Sequence, residues 1–205
     1  MAKIQKRKEE ISQYLQEYME ECFRKSCREI QIEIENNGEM IWMELKKNIC
    51  ECLHKTDILQ KQQRKNGLQY LVFSFLRHGI IQNRPQIRID ALDDSFYLDE
   101  EEAESYYHPA FLQEKYLNDL ESIYKKAGKK FIRLQNYELE DIKEEYAGFY
   151  FSILFQMIKE LSGSIAKTVL TSGISVEDSF KIIMGEYMNH AAVLFIRNED
   201  ENKIL

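Results

Sequence analysis

Hydrophobic positions recur at helical spacing over most of this chain. Ile11, Leu15, Tyr18 and Cys22 form one stripe, and Met19, Phe23, Cys27, Ile30 and Ile34 form an adjacent one. No Gly or Pro interrupts residues 3 to 35, so the pattern predicts a single helix on the order of 50 Å long. Asn36-Asn37-Gly38 predicts its stop. A second helix follows over roughly residues 39–54, with Ile41, Leu45, Ile49 and Leu53 on one face. Leu68 to Leu76 is almost continuously apolar and reads as a buried central helix closed by Gly79. Pro109 suits the first turn of a helix that Gly128 ends. The period is cleanest from Leu139 to Leu161. Ser175 and the acids Glu177 and Asp178 predict the start of a last helix, with Val176, Phe180, Ile183, Tyr187, Ala191 and Leu194 as its buried stripe.

One segment departs from this period. Ile87, Ile89 and Ala91 alternate with Arg88, Asp90 and Leu92, which is the repeat of a half-buried strand. Asp93-Asp94 offers a turn, and Phe96 and Leu98 resume the alternation. The expectation is a β-hairpin over about residues 86–99, with Ile89 opposite Leu98 and Arg88 opposite Asp99. Phe131-Ile132-Arg133-Leu134 is a candidate third short strand near 131–134, since two strands alone are marginal in water. The predicted fold is therefore mainly α, a helical-bundle-like single domain spanning residues 1–205 with one hairpin inserted.

Composition narrows the function classes more than it names one. The net charge is −7, and it is unevenly placed: +2 over residues 1–80 and −9 over residues 81–205. Between Asp90 and Glu104 there are eight acids and no base. That balance argues against general nucleic-acid binding, which rests on phosphate neutralisation. The apolar runs fall far short of the roughly 20 residues a membrane helix needs, and no signal-peptide pattern is visible. Four cysteines without a secretion signal read as reduced thiols, so a cytoplasmic location is expected.

Candidate chemistry is sparse. Cys50 and Cys52 lie about 200° apart on a helix and cannot share one ion, as structural zinc sites require. Glu51 and His54 match the i, i+3 motif of di-iron helical bundles, but such a site needs two copies and only one is present. Glu104 with His108 and Glu186 with His190 stand at i, i+4, yet Pro109 disfavours helix at His108. No metal or cofactor is expected. There is no phosphate loop and no nucleophile elbow. The most concentrated mixed-charge cluster is Arg77, His78, Arg84, Arg88 and Asp90, which with Tyr97 forms a candidate anion pocket. The competing reading is that these residues satisfy helix carbonyls and cross-strand pairs.

The leading expectation is a non-catalytic interaction or regulatory protein acting through protein contacts. The acidic run at 90–104 is a candidate dock for a basic partner. The two stripes of the first helix suggest self-association as a two-fold dimer. The alternative is a helical-bundle enzyme or small-ligand binder using the Arg/His/Asp/Tyr cluster.

Overall fold

The computed structural model describes residues 2–197. The chain forms α1 (Ala2–Lys61), β1 (Leu68–Phe75), α2 (Arg77–Ile81), β2 (Ile87–Leu92), β3 (Glu104–Tyr107), α3 (Ala110–Gly128), α4 (Asn136–Leu170), β4 (Val176–Glu186) and β5 (Ala191–Ile196). The strands make one mixed sheet in the order β3-β2-β1-β4-β5, with β1 and β4 parallel and the other pairs antiparallel. This is an α/β fold, which overturns the expected all-α helical bundle with one hairpin. Two compact units are present.

The first unit comprises α1 up to Gly38, Arg77–Pro85 and Pro109–Ile153. Here the helical periodicity is realised as expected. Ile11, Leu15, Met19 and Ile30 of α1 are buried, with Leu112, Tyr116, Leu120 and Ile123 of α3 and Ile142, Tyr146 and Tyr150 of α4. Each such aliphatic side chain contributes about 1.5–3 kcal/mol when removed from water. The tyrosines need partners for their hydroxyls, and they find them. Tyr146 and Tyr150 both donate to Asp119 Oδ2, at 2.6 and 2.8 Å. Tyr116 donates to the Lys143 carbonyl at 3.2 Å. Residues 131–134 form no strand; they are an irregular turn in which Phe131 alone is buried and Ile132 is 83% exposed.

The second unit comprises Glu39–Leu76, Gln86–His108 and the chain from Leu154 onward. Asn36-Asn37-Gly38 proves to be a break in α1 at Asn37 (φ −124°, ψ 16°) with helix resuming after it. Asn37 Nδ2 donates to Glu33 Oε1 at 2.8 Å.

Three segments read as helix or hairpin are strands of different partnership. Leu68–Phe75 is β1, flanked in the sheet by β2 and β4. A strand with neighbours on both sides and cover on both faces loses its polar alternation, so its run of apolar residues resembles a buried helix. The predicted last helix is the β4–β5 hairpin. Its apolar spacing fits both periods, and Gly185 settles the outcome. A Cβ there would lie 2.1 Å from the His190 carbonyl oxygen, so the tight turn closes on glycine.

The hairpin over residues 86–99 is also corrected. β2 pairs with β3, placing Ile89 opposite Ser105, and residues 93–103 form the connection. Leu98 is 84% exposed. The acidic loop has its own bonding pattern, described below, and this outcompetes the short strand. Alternation within β2 holds. Ile87, Ile89 and Ala91 are fully buried on the face towards α1, where Cys52 donates to the Ala103 carbonyl at 2.9 Å and Ser105 to the Asn48 carbonyl at 2.8 Å.

Candidate functional site

Strand alternation sends Arg88, Asp90 and Leu92 to the opposite face of the sheet. Across the ladder, Tyr70 stands opposite Leu92 and Val72 opposite Asp90 on β1. Lys181 and Ile183 stand opposite Tyr70 and Val72 on β4, and Tyr106 stands opposite Arg88 on β3. Val72, Leu92 and Ile183 form the buried centre of this face, with Tyr70, Phe96 and Tyr97 packed on it. Phe96 and Tyr97 come from a single helical turn, Phe96–Leu98, that folds back over the sheet. Phe96 stands 4.8 Å from Tyr70 and 4.3 Å from Tyr97, ring centre to ring centre. Tyr187, in the β4–β5 turn, lies 6.0 Å from Tyr97.

At the middle of this surface Arg88 Nε donates to Asp90 Oδ1 at 2.7 Å. The guanidinium also lies 5.0 Å from the Tyr187 ring centre. Burial pushes the Asp90 carboxyl above its usual range, and the bond from Arg88 only partly offsets this. For Arg88, burial acts to lower the pKa, but the hydrogen bond to Asp90 and the charge attraction of Asp90, Tyr187 and Tyr106 together outweigh it, and the net shift is upward. Asp90 Oδ2 is buried and has no hydrogen-bond partner among the described residues.

The acidic run beside this face is largely committed within the chain. Lys65, fully buried, pairs with Asp99 and donates to the Glu101 carbonyl. Arg64 grips Glu101 with two nitrogens, at 3.1 and 2.7 Å. Lys55 reaches Glu104. Asp93 accepts the backbone N–H groups of Asn66 and Ser95. Asp99 therefore pairs with Lys65, not with Arg88 as the expected hairpin required. Glu100 and Glu102 alone among the eight acids lack an ion pair or hydrogen bond among the described residues.

Of the six residues singled out from sequence, the fold brings Arg88 and Asp90 into contact, with Tyr97 one ring away through Tyr187. Arg77 lies in the helical unit, where its Nε donates to Glu144 Oε1 at 2.7 Å. His78 and Arg84 belong to that unit too and are exposed. Tyr70, Phe96, Tyr106, Lys181 and Tyr187 were not anticipated at this surface. Tyr70 and Lys181 lie on β1 and β4, whose alternation their apolar flanks conceal; Phe96, Tyr106 and Tyr187 come from a turn, β3 and the β4–β5 turn. His54, His108 and His190 are exposed. Among the described residues no three His, Cys, Asp or Glu side chains converge to hold a metal ion. No described helix is long and apolar enough to cross a membrane.

Comparison with protein-family models, with curated proteins and with solved structures finds no match for this chain.

Proposed function

We propose that this chain is a non-catalytic protein-contact module whose sheet accepts an extended partner segment along β5. The observation that carries this reading is the character of that edge. Ala191–Ile196 (AAVLFI) contains no charge and no proline, and Val193 and Ile196 are 53% and 48% exposed. β5 pairs with β4 on one side, and among the described residues nothing pairs with its other side.

Sheet edges of this kind are usually guarded by lysine, proline or a bulge, because their free N–H and C=O groups recruit other strands. One guard is present, a bulge opposite Ile182–Ile183; the charges are missing. An edge left apolar suits strand addition, in which backbone bonds give affinity and alternate side chains give selectivity. The acidic run at 90–104 is a weaker candidate for a basic partner, because four of its eight carboxylates already have a cation within the chain. The apolar stripes of the first helix, which suggested a dimer, have Ile11, Leu15, Met19 and Ile30 buried within the chain.

Random-peptide display against the purified protein tests this reading. The expected selection is of extended apolar sequences whose binding is lost in Val193→Lys, while that variant keeps its melting temperature. Selected peptides that bind Val193→Lys equally well, or a selection without apolar alternation, would refute it.

A further inference from the structure

We propose that the aromatic face around Arg88 and Asp90 is a binding site for a planar heterocycle carrying a cis-amide edge, the N–H beside C=O found in hypoxanthine, guanine and uracil. The inference is independent of the β5 edge. It starts from an incomplete ion pair. An arginine fork and a carboxylate ordinarily meet through two parallel hydrogen bonds. Here the contact is single: Arg88 gives Nε to Asp90 Oδ1. Asp90 Oδ2 is buried and has no hydrogen-bond partner among the described residues, while Nε is the Arg88 atom that meets Asp90.

Asp90 is only 3% exposed, so an acceptor without a donor is costly where it stands. The unpaired oxygen and the arginine beside it define their complement. Oδ2 lacks a donor, and the guanidinium next to it can donate to an acceptor on the same ligand edge. A cis-amide presents that pair on one rigid edge. A free anion would satisfy Arg88 but would meet Asp90, with Glu104 opposite it in the ladder and Glu102 also contributing negative charge. These carboxylates oppose a free anion at Arg88. A simple cation would satisfy Asp90 but would be repelled by Arg88.

The surroundings suit a flat ring. Tyr187 stands beside the ion pair with Tyr97 next to it, and aromatic side chains bind heterocycles by stacking. Solvent does not reach Oδ2 in this conformation, so the side chains over it must shift to admit a ligand. Phe96 has φ +54°, a left-handed conformation that a non-glycine residue keeps only when its packing holds it there. It packs against the rings of Tyr70 and Tyr97 and on Val72, Leu92 and Ile183.

The experiment is calorimetric titration of the full chain with inosine and with 1-methylinosine. These differ in the single N–H that Oδ2 would accept. Saturable inosine binding is expected, with the methylated nucleoside weaker by about tenfold or more, the loss of one buried hydrogen bond. Asp90→Asn should weaken inosine similarly, because Arg88 Nε holds the amide oxygen and turns the NH2 group towards the ligand. Arg88→Lys should also weaken it, since a point ammonium cannot bridge both groups. No saturable binding of inosine, guanosine or uridine, or equal binding of inosine and 1-methylinosine, overturns the proposal. The nucleoside comparison uses wild-type protein, so it decides the matter even if a variant fails to fold.

Discussion

The helical unit and the sheet unit use the same charged residue types in opposite ways. In the helical unit, ion pairs between elements sit in water: Lys8–Asp141 leaves its side chains 50% and 30% exposed, and Arg77–Glu144 leaves its own 76% and 28% exposed. In the sheet unit, Lys65 and Asp99 are 0% and 3% exposed, and Arg88 and Asp90 are 17% and 5% exposed. Solvated pairs are worth about 0–1 kcal/mol. A buried pair is bound much more tightly to its own completeness, because removing one member strands the other in a poorly solvating environment. Hydrophobic stripes hold the helices together, and their charges decorate the outside. The connection between β2 and β3 has few apolar anchors, and buried charge organises it instead.

Lys65→Met breaks that contrast at its strongest point. Asp99 would keep the N–H groups of Asp93 and Glu101 but lose its counter-charge. The expected cost is about 3–5 kcal/mol, or roughly 6–20 °C in melting temperature for a chain of this size. Replacing both residues, as Lys65→Met with Asp99→Leu, should recover part of the loss in denaturant unfolding. A cost below about 1 kcal/mol for the single change would mean that the pair behaves as a surface pair.

The helical unit has one exception, and it sharpens the comparison. Glu138 is buried, is gripped by Arg7 through Nε at 2.5 Å, and accepts the Gln135 N–H at 2.8 Å just ahead of α4. The latter is half of a capping box, so Glu138→Ala should cost about 1 kcal/mol. Glu138 and Asp90 should also respond oppositely to acid. The hydrogen bond from Arg7 lowers the Glu138 pKa below its ordinary 4.5. Its stabilisation is therefore present above that value and is lost as pH falls through the lower folded-state value. Burial raises the Asp90 pKa above its ordinary 3.8. Its contribution is gained as pH falls through the raised folded-state value and is complete below the unfolded one. In stability measured against pH, Glu138→Gln should flatten the acid-side loss, and Asp90→Asn should steepen it by removing the opposing gain. Identical slopes in both variants would contradict the assignment.

The same division explains what was legible in the sequence. The stripes of α1, α3 and α4 survive in the structure because each helix buries one face and wets the other. β2 was legible because charged Arg88 and Asp90 alternate with Ile87 and Ile89, although its second face is largely covered too. β1 was not, because Leu71, Val72 and Phe73 are all buried and a strand covered on both faces shows no period. β4 and β5 were misread because Phe180, Ile183 and Tyr187 satisfy a helical repeat by coincidence; Gly185 was the residue that contradicted it. The cluster around Arg88 and Asp90 was half legible. Arg88 and Asp90 are neighbours on one strand face, but Tyr187 reaches them from a turn almost a hundred residues away. Lys65 had no signal at all, standing in a polar run whose burial only the folded acidic loop creates.

The smallest expected effect comes from the exposed end of the comparison. Lys8 meets Asp141 at 2.7 Å across the helical unit, a distance as short as that between Arg88 and Asp90. If distance set the energy, Lys8→Ala would matter as much as any change above. Solvent sets it instead, since water screens both groups and two flexible side chains must be ordered to meet. The expected loss is at most about 1 kcal/mol. Ionic strength separates the regimes: at about 1 M salt the screening length contracts to roughly 3 Å. Wild type and Lys8→Ala should then unfold together, while the Lys65→Met penalty should persist, because salt does not reach a pair with no exposed surface. A Lys65→Met penalty that also vanishes in salt would place the acidic loop in water and remove the distinction between the two units.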